Sequence, residues 1–278
     1  MPSRILSVDF GGTSVNALLS LDGWDEAARD FSSADMPVSW AGVKRILAAM
    51  GAERVDGVIV TGGSNAAISS QDPDMPVVHI PEIDAIGLGG LSLAGIPEAL
   101  VVSLGTGTAM VAAHDRVFRH VGGSGLGGGT LLGLSRLLLQ TTNFSDLESL
   151  ARAGAAGAVD LSVQDIVGGA IGIVPADSTA SNFGKAARLA RVRDLSRPDI
   201  ARGIVTMVGQ TVARLALVIA KAEQLDQVVV IGHVIESPVM QSVFTSVAGL
   251  FGGTFIFPDH ARQGVVRGAF EIGKEQFV

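Results

Sequence analysis

Short runs of apolar residues alternate along this chain with segments in which the apolar positions recur at helical spacing. The clearest helix is predicted at 40–50, where Val43, Ile46, Leu47 and Met50 follow the i, i+3, i+4, i+7 spacing of one helix face. Other helices are predicted at 83–93, 127–140, 200–225, 238–250 and from 264. Strands are predicted at 4–10, 15–21, 57–60, 77–80, 99–103, 109–113, 227–231 and 254–257. A capping box at 145–148 predicts one more helix. This alternation predicts an α/β fold in which helices cover mixed sheets.

One device occurs twice in the chain: a buried strand, a turn of glycine and threonine, and a second apolar strand. The first turn is Gly11-Gly12-Thr13 and the second is Gly105-Thr106-Gly107-Thr108. Gly95-Ile96-Pro97 comes directly before the second copy and is the best candidate for a boundary. We therefore predict two α/β domains, at 1–97 and 98–278, with a ligand cleft between them.

Composition narrows the class of partner and the compartment. The 278 residues are 47% hydrophobic and 17% charged, which supplies one large core or two smaller ones. The formal net charge of -7 argues against a surface that neutralises nucleic acid or an anionic membrane, so we expect a small-molecule partner. The absence of cysteine excludes disulfides and thiolate chemistry and favours a reducing compartment. The first residues lack a signal-peptide pattern, and no uninterrupted apolar run reaches the roughly eighteen residues of a membrane helix. We expect a cytoplasmic protein.

The two turns have the residue types of a polyphosphate site. Asp9 ends the first strand and is followed by Gly11, Gly12 and Thr13. Backbone N–H groups there can face phosphate oxygens, while the carboxylate can organise a hydrated magnesium ion. The alternative for this segment alone is an ordinary hairpin turn. The second turn offers the same chemistry from the other half of the chain, and two facing loops can hold the β- and γ-phosphates of ATP between them.

A third glycine segment, at 122–130, leads directly into a predicted helix. Glycines before a helix N-terminus form a natural anion site and let the backbone approach a nucleotide closely. The segment also matches the dinucleotide fingerprint G-x-G-x-x-G at Gly123, Gly125 and Gly128. We discount that interpretation because the segment follows a strand pair late in the chain, whereas the fingerprint belongs to the first turn of a βαβ unit.

Six short motifs, most of them rich in glycine, threonine or acidic residues, are spaced over the chain from residue 9 to residue 184. They are Asp9-Phe10-Gly11-Gly12-Thr13, Thr61-Gly62-Gly63, Glu82-Ile83-Asp84-Ala85, 104–108, 121–130 and Ser178-Thr179-Ala180-Ser181-Asn182-Phe183-Gly184. In order and spacing they resemble the successive motifs of the type II pantothenate kinases, a fumble-like group of the actin and sugar-kinase superfamily. The resemblance implies two ribonuclease-H-like domains with an interdomain cleft, usually in a homodimer.

The resemblance also implies a reaction and its residues. ATP, with Mg²⁺ organised by Asp9, would phosphorylate the primary hydroxyl of pantothenate in the first step of coenzyme A biosynthesis. The positions that match the family's nucleotide contacts are Gly11, Gly12, Thr13, Ser14, Asn16, Thr106, Gly107, Gly128, Gly129, Thr130, Phe144 and His233. Those that match its substrate region are Glu82, Gly105, Thr106, Arg119, His120 and Asn182.

Glu82 matches the family's catalytic glutamate, which accepts the proton of the acceptor hydroxyl. It follows an apolar strand and precedes a helix, so it can project into the cleft. The residues alone favour the alternative that Glu82 and Asp84 simply begin a helix, where acidic side chains interact favourably with the helix dipole, and the resemblance reverses that preference. Phe144 can stack near the base or act as a hydrophobic staple. Asn182 can serve the dimer and the acid-recognition region or be a buried structural asparagine.

Several positions depart from the family's pattern. Asn16 stands where relatives usually carry lysine, and His120 where they carry the arginine before Val-Gly-Gly, so two fixed positive charges are missing. Arg119 points to the opposite face in a regular strand and would need a bulge or altered register to replace that arginine. His233 stands where a small hydroxyl residue is frequent, and the chain has no tyrosine for the acid pocket. Two alternatives stay open: a kinase for another small alcohol such as an amino sugar, and a nucleotide-binding pseudokinase or regulator.

Overall fold

Two five-stranded mixed sheets form the centre of the molecule. The computed structural model describes residues 3–63, 68–69, 75–114, 116–188 and 195–277. The first sheet contains β1 (Arg4–Phe10), β2 (Ser14–Leu21), β3 (Trp24–Ser32), β4 (Gly57–Thr61) and β5 (Val77–His79), in the order β3-β2-β1-β4-β5. The second contains β6 (Glu98–Leu104), β7 (Thr108–His114), β8 (Val117–Ser124), β11 (Gln227–Ile231) and β12 (Thr254–Ile256), in the order β12-β11-β6-β7-β8, and a separate ribbon pairs β9 (Leu161–Ser162) with β10 (Thr179–Ser181).

The two sheets repeat one connectivity. In each, the first strand pairs antiparallel with the second and parallel with a later one: β1 with β2 and β4, and β6 with β7 and β11. Gly62 and Gly232 follow the later strands and have φ of +100° and +106°. A Cβ at either glycine would lie 2.4 Å from the carbonyl oxygen of Phe10 or Leu104, so both turns require glycine. The device that occurs twice in the sequence therefore extends over whole sheets.

Helices cover the two sheets and fill the space between them. The outer face of the first sheet is covered by α1 (Trp40–Ala49). Between the sheets lie α2 (Glu82–Ala94) and α8 (Gly264–Gly273). The outer face of the second sheet is covered by α3 (Gly128–Leu139), α4 (Phe144–Ala153), α6 (Arg197–Ala222) and α7 (Pro238–Phe251), and the short α5 (Val163–Val167) adjoins the ribbon. Each of the three resulting cores buries apolar strand residues against an apolar helix face, as the periodicity predicts.

Helices α2 and α8 are exchanged between the two halves of the chain. α2 packs on the second sheet, where its Gly87 lies against the Phe118 ring. α8, near the end of the chain, packs on the first sheet, where its Gly273 lies against Ile59. Where the helices cross, a Cβ at Gly268 would lie 2.0 Å from the carbonyl oxygen of Ala85, so the backbones are in direct contact. The C-terminal helix α8 thus covers one face of the N-terminal sheet. The domain boundary after Pro97 stays a prediction.

Helix α6 is the longest helix of the described residues. It contains a window with a mean hydropathy of 1.7 and is long and apolar enough to cross a membrane. In the structure 56% of that window is buried, and Ile204, Val208 and Val212 belong to the core beneath the second sheet. Because a central helix of a globular fold needs such an apolar face, packing accounts for the composition of α6.

The predicted helices and strands are confirmed with small shifts of their ends. The apolar pattern does not predict β3 and β8, which lie at sheet edges, where one face can be polar and exposed. The capping box at 145–148 is wrong. Asn143 is the residue that caps α4, accepting from the Ser145 N–H at 2.8 Å, and Phe144 is the first helical residue. Phe144 therefore cannot be the hydrophobic staple that precedes a cap.

Candidate active site

A cavity of about 330 Å³ is lined by residues from both sheets and from the start of α2. The sequence-predicted residues that line it are Asp9, Gly11, Gly12, Ser14, Asn16, Glu82, Gly105, Thr106, Gly107 and His233. These positions are spread over more than two hundred residues of sequence and come from both copies of the repeated turn. The fold therefore brings both predicted catalytic positions and seven of the twelve predicted nucleotide positions together in one cavity. The five predicted nucleotide positions that do not line it are Thr13, Gly128, Gly129, Thr130 and Phe144.

The two glycine–threonine turns meet at the edge of this cavity. The Thr13 and Thr106 hydroxyl oxygens are 2.7 Å apart and share a hydrogen bond. A Cβ at Gly12 would lie 3.2 Å from the Thr106 Oγ1, and one at Gly11 would lie 2.7 Å from the Ser14 carbonyl oxygen. Small residues are thus required here because the turns approach each other and themselves closely.

The glycine segment before α3 supports the second turn. The Gly128 N–H donates to the Gly105 carbonyl at 2.8 Å, and the Gly129 N–H donates to the Thr106 carbonyl at 2.9 Å. The Thr130 hydroxyl donates to the Gly125 carbonyl at 3.0 Å, which fixes the start of the helix. In this arrangement the first amides of α3 are bonded to the turn, which differs from the free anion site that the glycine pattern predicts.

Asp9 lies in a row of polar side chains across the first sheet. The strand register places Asn16 on one side of it and Thr61 on the other. The Asn16 side-chain N–H donates to the Asp9 carboxylate at 3.4 Å, while the Asn16 Oδ1 and the Thr61 Oγ1 are buried without a hydrogen-bond partner among the described residues. Burial raises the pKa of Asp9 to about 7, the nearby Glu82 carboxylate acts in the same direction, and the Asn16 hydrogen bond opposes both.

The polar row at Asp9 fits a magnesium ion. Magnesium is commonly held by one or two carboxylates together with water and substrate phosphates, so a cage of side chains is not required. Among the described residues there is no cluster of three or more metal-binding side chains. Asp9 supplies a carboxylate, and the Asn16 Oδ1 supplies a hard oxygen donor close by that no described group engages. Asp9 would therefore hold a hydrated magnesium ion, with the Asn16 Oδ1 beside it.

Glu82 is the first residue of α2 and lines the cavity. Its side chain opens toward the cleft, yet the surrounding protein removes part of its water and raises its pKa above the ordinary glutamate value. Asp84, in the same helical turn, does not line the cavity. The structure thus distinguishes the two acidic residues that begin this helix, because only Glu82 lines the cavity.

His233 lines the cavity and packs against the ring of Phe144, which does not line it, and the two rings form an aromatic corner beside the site. Their ring centroids are 5.9 Å apart at an interplanar angle of 70°. A Cβ at Gly128 would lie 3.3 Å from the His233 Cε1, so the histidine also closes over the start of α3. Burial lowers the pKa of His233, and the positive charge of Arg262 lowers it further. His233 therefore contributes a neutral ring near neutral pH.

Arg262 lines the cavity, although no sequence motif predicts it. It lies in the loop between β12 and α8 and forms ion pairs at 2.7 Å with Asp30 on β3 and with Glu236 after β11. Burial alone would lower the pKa of its guanidinium, but the two carboxylates outweigh burial and raise it. Arg262 thus carries a fixed positive charge into the site.

Comparison with known proteins identifies the family. A family model described as Fumble matches residues 96–251, which is more than half of the chain. The chain belongs to the Fumble family. This Fumble-family protein is 33% identical over 208 residues to a type II pantothenate kinase of Bacillus cereus, covering 72% of this chain and 75% of that relative. A type II pantothenate kinase of Staphylococcus haemolyticus is 30% identical over 195 residues, covering 68% and 73%. The resemblance drawn from the ordered motifs is confirmed.

Solved structures show the fold of this Fumble-family protein. The activator of the 2-hydroxyisocaproyl-CoA dehydratase from Clostridium difficile, with bound ADPNP, matches with a TM-score of 0.65 and 18% identity, covering 98% of this chain and 96% of that one. A ROK family glucokinase from Streptomyces griseus, in complex with glucose and AMPPNP, matches with a TM-score of 0.56 and 15% identity, covering 98% and 99%. The predicted actin and sugar-kinase fold class is confirmed.

Two predicted substrate residues of this Fumble-family protein do not line the cavity. Arg119, on β8, forms an ion pair with Glu223 at the end of α6. Register in β8 shifts after His120, with Val121 as the extra residue, so a bulge is present. Despite the bulge, Arg119 lies on the face of the sheet that packs on α6. Side chains alternate along β8, so His120 lies on the opposite face, together with Phe118, which packs on α2. Arg119 thus does not take the place of the missing cleft arginine.

Asn182 also lies outside the cavity. Its side-chain N–H groups donate to the Asp160 carboxylate and the Gln210 carbonyl oxygen, each at 3.3 Å. The Phe183 backbone N–H donates to the same carboxylate at 2.8 Å, so Asp160 holds the segment after β10 while Gln210 links that segment to α6. Burial raises the pKa of Asp160, and these hydrogen bonds oppose the rise. The observed contacts of Asn182 are those of the structural alternative.

Proposed function

We propose that this chain transfers the γ-phosphoryl group of ATP to the primary hydroxyl of pantothenate or a close analogue, the first step of coenzyme A biosynthesis. One observation carries the proposal: Asp9 and Glu82 face the same cavity as both glycine–threonine turns. Membership of the Fumble family and the type II pantothenate kinases among its relatives support the same reaction.

In the proposed reaction, the Glu82 carboxylate accepts the proton of the acceptor hydroxyl while the hydroxyl oxygen attacks the γ-phosphorus. A new P–O bond forms, the bond from the γ-phosphorus to the bridging oxygen breaks, and ADP leaves with that oxygen. A carboxylate with a raised pKa is a better proton acceptor than an ordinary one, provided that it stays mostly ionised at the working pH. The direction of the Glu82 shift fits this role.

The two turns hold the phosphates in this proposal, and the aromatic corner lies at the nucleoside end. We assign ATP binding to Gly11, Gly12, Thr13, Ser14, Asn16, Thr106, Gly107, Gly128, Gly129, Thr130, Phe144 and His233. The Gly128 and Gly129 amides act indirectly, because they fix the carbonyls of the second turn. Asp9 is the residue assigned to Mg²⁺, with Asn16 Oδ1 beside it. When bound, magnesium neutralises the charge on the β- and γ-phosphate oxygens.

A second candidate is a kinase for another small alcohol, such as an amino sugar. The observation that favours it is the missing carboxylate clamp: Arg119 is paired with Glu223, and His120 does not line the cavity. An acceptor without a carboxylate needs no such clamp. Both candidates use Glu82 and the same nucleotide cradle, so they differ in the acceptor alone.

We also propose a cytoplasmic homodimer. Ile166, Val167, Ile171 and Ile173 lie close together in the chain and are exposed, Ile173 to 76%. Exposed apolar groups of this kind mark protein contact surfaces. A cysteine-free composition suits a reducing compartment. Light scattering that gives the monomer mass of 28.4 kDa at micromolar concentration would contradict the dimer.

The test of the reaction replaces the proposed base. In Glu82→Gln, kcat for ADP release with Mg-ATP and the acceptor should fall by about 10²- to 10⁴-fold, with ADP affinity unchanged within about twofold. Asp84→Asn is the matched control, since Asp84 lies in the same helical turn outside the cavity, and it should keep wild-type turnover. Pantothenate, pantetheine, pantoate and a panel of amino sugars are compared as acceptors.

The possible outcomes separate the candidates. ADP release with pantothenate supports the first, and release with a sugar alone supports the second. Nucleotide binding without ADP release for any alcohol would mean a pseudokinase. Turnover in Glu82→Gln within a few fold of wild type would remove Glu82 from the mechanism.

A further inference from the structure

Arg262 is the only lysine or arginine among the described residues that line the active-site cavity. The other ionisable side chains there are the acids Asp9 and Glu82 and the histidine His233, whose pKa is lowered. A triphosphate brings several more negative charges into this space. A direct contact between a fixed positive charge and the phosphates therefore depends on Arg262, because Asn16 supplies no charge and Arg119 and His120 do not line the cavity.

The guanidinium of Arg262 is held by two carboxylates but is not saturated by them. Its Nη1 donates to the Asp30 Oδ2 at 2.7 Å and its Nη2 lies 2.7 Å from the Glu236 Oε2. Its Nε is buried and has no hydrogen-bond partner in the described part of the chain. An arginine carries five N–H donors, so the two ion pairs leave part of the donor capacity of Arg262 unused.

The position of this group relative to the phosphate turns follows from the strand register. Asp30 on β3 pairs directly with Asn16 on β2, and Asn16 pairs directly with Asp9 on β1. Paired side chains lie on the same face of a sheet with their Cβ atoms about 5 Å apart. The ion pair with Asp30 thus brings the guanidinium to the row of side chains that contains Asp9, next to Asn16.

We propose that Arg262 is the phosphate-binding cation of this enzyme, and that Asp30 and Glu236 are positioning residues that aim its guanidinium at the bound nucleotide. The inference rests on the proposed function, since it assigns a further residue to the same nucleotide site. A guanidinium directs several N–H groups at phosphate oxygens in a fixed planar geometry, which a lysine amine at the same place cannot reproduce.

A neighbouring arginine provides a matched control. Arg267 lies on α8, forms an ion pair with Asp25 on β3 at 2.5 Å and donates to Gln263. It therefore resembles Arg262 in linking the C-terminal segment to the same strand. Arg267 does not line the active-site cavity. Arg267→Gln removes an ion pair between the same elements and leaves the phosphate site untouched.

The experiment measures the binding affinities of three ligands: Mg-ADP, a non-hydrolysable ATP analogue and adenosine. Each affinity is measured for wild type, Arg262→Gln, Arg262→Lys and Arg267→Gln. Affinities come from competition with a fluorescent ADP analogue, and thermal unfolding verifies that each variant is folded. Arg262→Gln should weaken the binding of both phosphorylated ligands at least tenfold and leave the affinity for adenosine within twofold of the wild-type value. Arg262→Lys should recover part of the loss, and Arg267→Gln should match wild type.

Three results would overturn the inference. The first is an equal loss of affinity for adenosine and for ADP in Arg262→Gln. The second is an equal loss of ADP affinity in Arg262→Gln and in Arg267→Gln. Either result would show that Arg262 only links the two sheets structurally. Unchanged ADP affinity in a folded Arg262→Gln would also exclude a phosphate contact. If the wild-type protein binds no nucleotide, both the proposed function and this inference are wrong. The other outcomes contradict this inference alone and do not affect the proposed function.

Discussion

Burial governs the acidity of Asp9, which is 7% exposed. Loss of water around its carboxylate raises the pKa to about 7, with Glu82 adding to the rise and Asn16 opposing it. The folded protein therefore keeps the Asp9 proton up to about pH 7, whereas the unfolded chain releases it near the ordinary value of 3.8. Because the folded state binds the proton more tightly, the free energy of unfolding falls as the pH rises from about 4 to about 7.

Asp9→Asn removes this pH dependence. Without nucleotide or magnesium, the free energy of unfolding of the variant relative to wild type should increase by about 2 kcal/mol between about pH 5 and about pH 8. Urea denaturation at the two pH values measures the difference. Asp226→Asn changes an exposed aspartate and serves as the control, with no such increase. A difference that stays constant with pH for Asp9→Asn would show that the carboxylate is already ionised in the folded state.

The sequence predicts those parts of the site that are formed by residues close together in the chain. It does not predict parts that depend on contacts between distant residues. Gly11, Gly12, Gly105 and Thr106 could be predicted because a turn between two strands needs small residues and leaves their amides in one place. Arg262 could not, because its ion pair with Asp30 joins residues 232 positions apart in the chain. Its role depends on the register of β3, an edge strand without an apolar pattern.

At the scale of elements, periodicity predicts which helices form but not how closely they approach. The pattern places helices at 83–93 and from 264, and both are found. Their glycines reduce the helix propensity, so from sequence they count against the helices. In the structure a Cβ at Gly89 would lie 1.9 Å from the carbonyl oxygen of Gly264, so glycine is needed for the crossing of α2 and α8. Tertiary contact explains glycines that propensity alone cannot.

Alanine substitution separates packing from propensity. Gly268→Ala should lower the free energy of unfolding by about 2 kcal/mol or more, because the added methyl group would lie against the Ala85 carbonyl and force the helices apart. Gly133→Ala, in the middle of α3 where an added methyl group meets open space, should raise the same free energy by about 0.5–1 kcal/mol. Urea denaturation measures both, and equal effects of the two substitutions would show that the crossing is not tightly packed.

At the scale of the whole molecule, the exchanged helices make the two sheets depend on each other. Loss of the N-terminal sheet would expose α8, and loss of the second sheet would expose α2, so partial unfolding leaves apolar surface in water. Phe277 adds to this dependence, since its ring lies against Gly57 on β4. We therefore expect one cooperative unfolding transition although the sequence predicts two domains.

The two tryptophans allow this expectation to be measured. Trp40 is buried on α1 beside the first sheet, and Trp24 lies on β3, so fluorescence reports the N-terminal half. Helical circular dichroism reports mainly the helices on the second sheet, which are α3, α4, α6 and α7. The urea midpoints from the two signals should coincide. Separate midpoints, or an earlier loss of fluorescence, would show that each sheet unfolds on its own.

The crossing of α2 and α8 also limits how the cavity can open. Backbone lies against backbone at Gly89 and Gly268, and these glycines have no side chains to obstruct sliding of one helix over the other. Since α2 is attached to one sheet and α8 to the other, pulling the sheets apart would break this contact, whereas turning them about it would preserve it. We therefore expect any opening of the cavity to be a scissor-like rotation of the two halves about the glycine crossing.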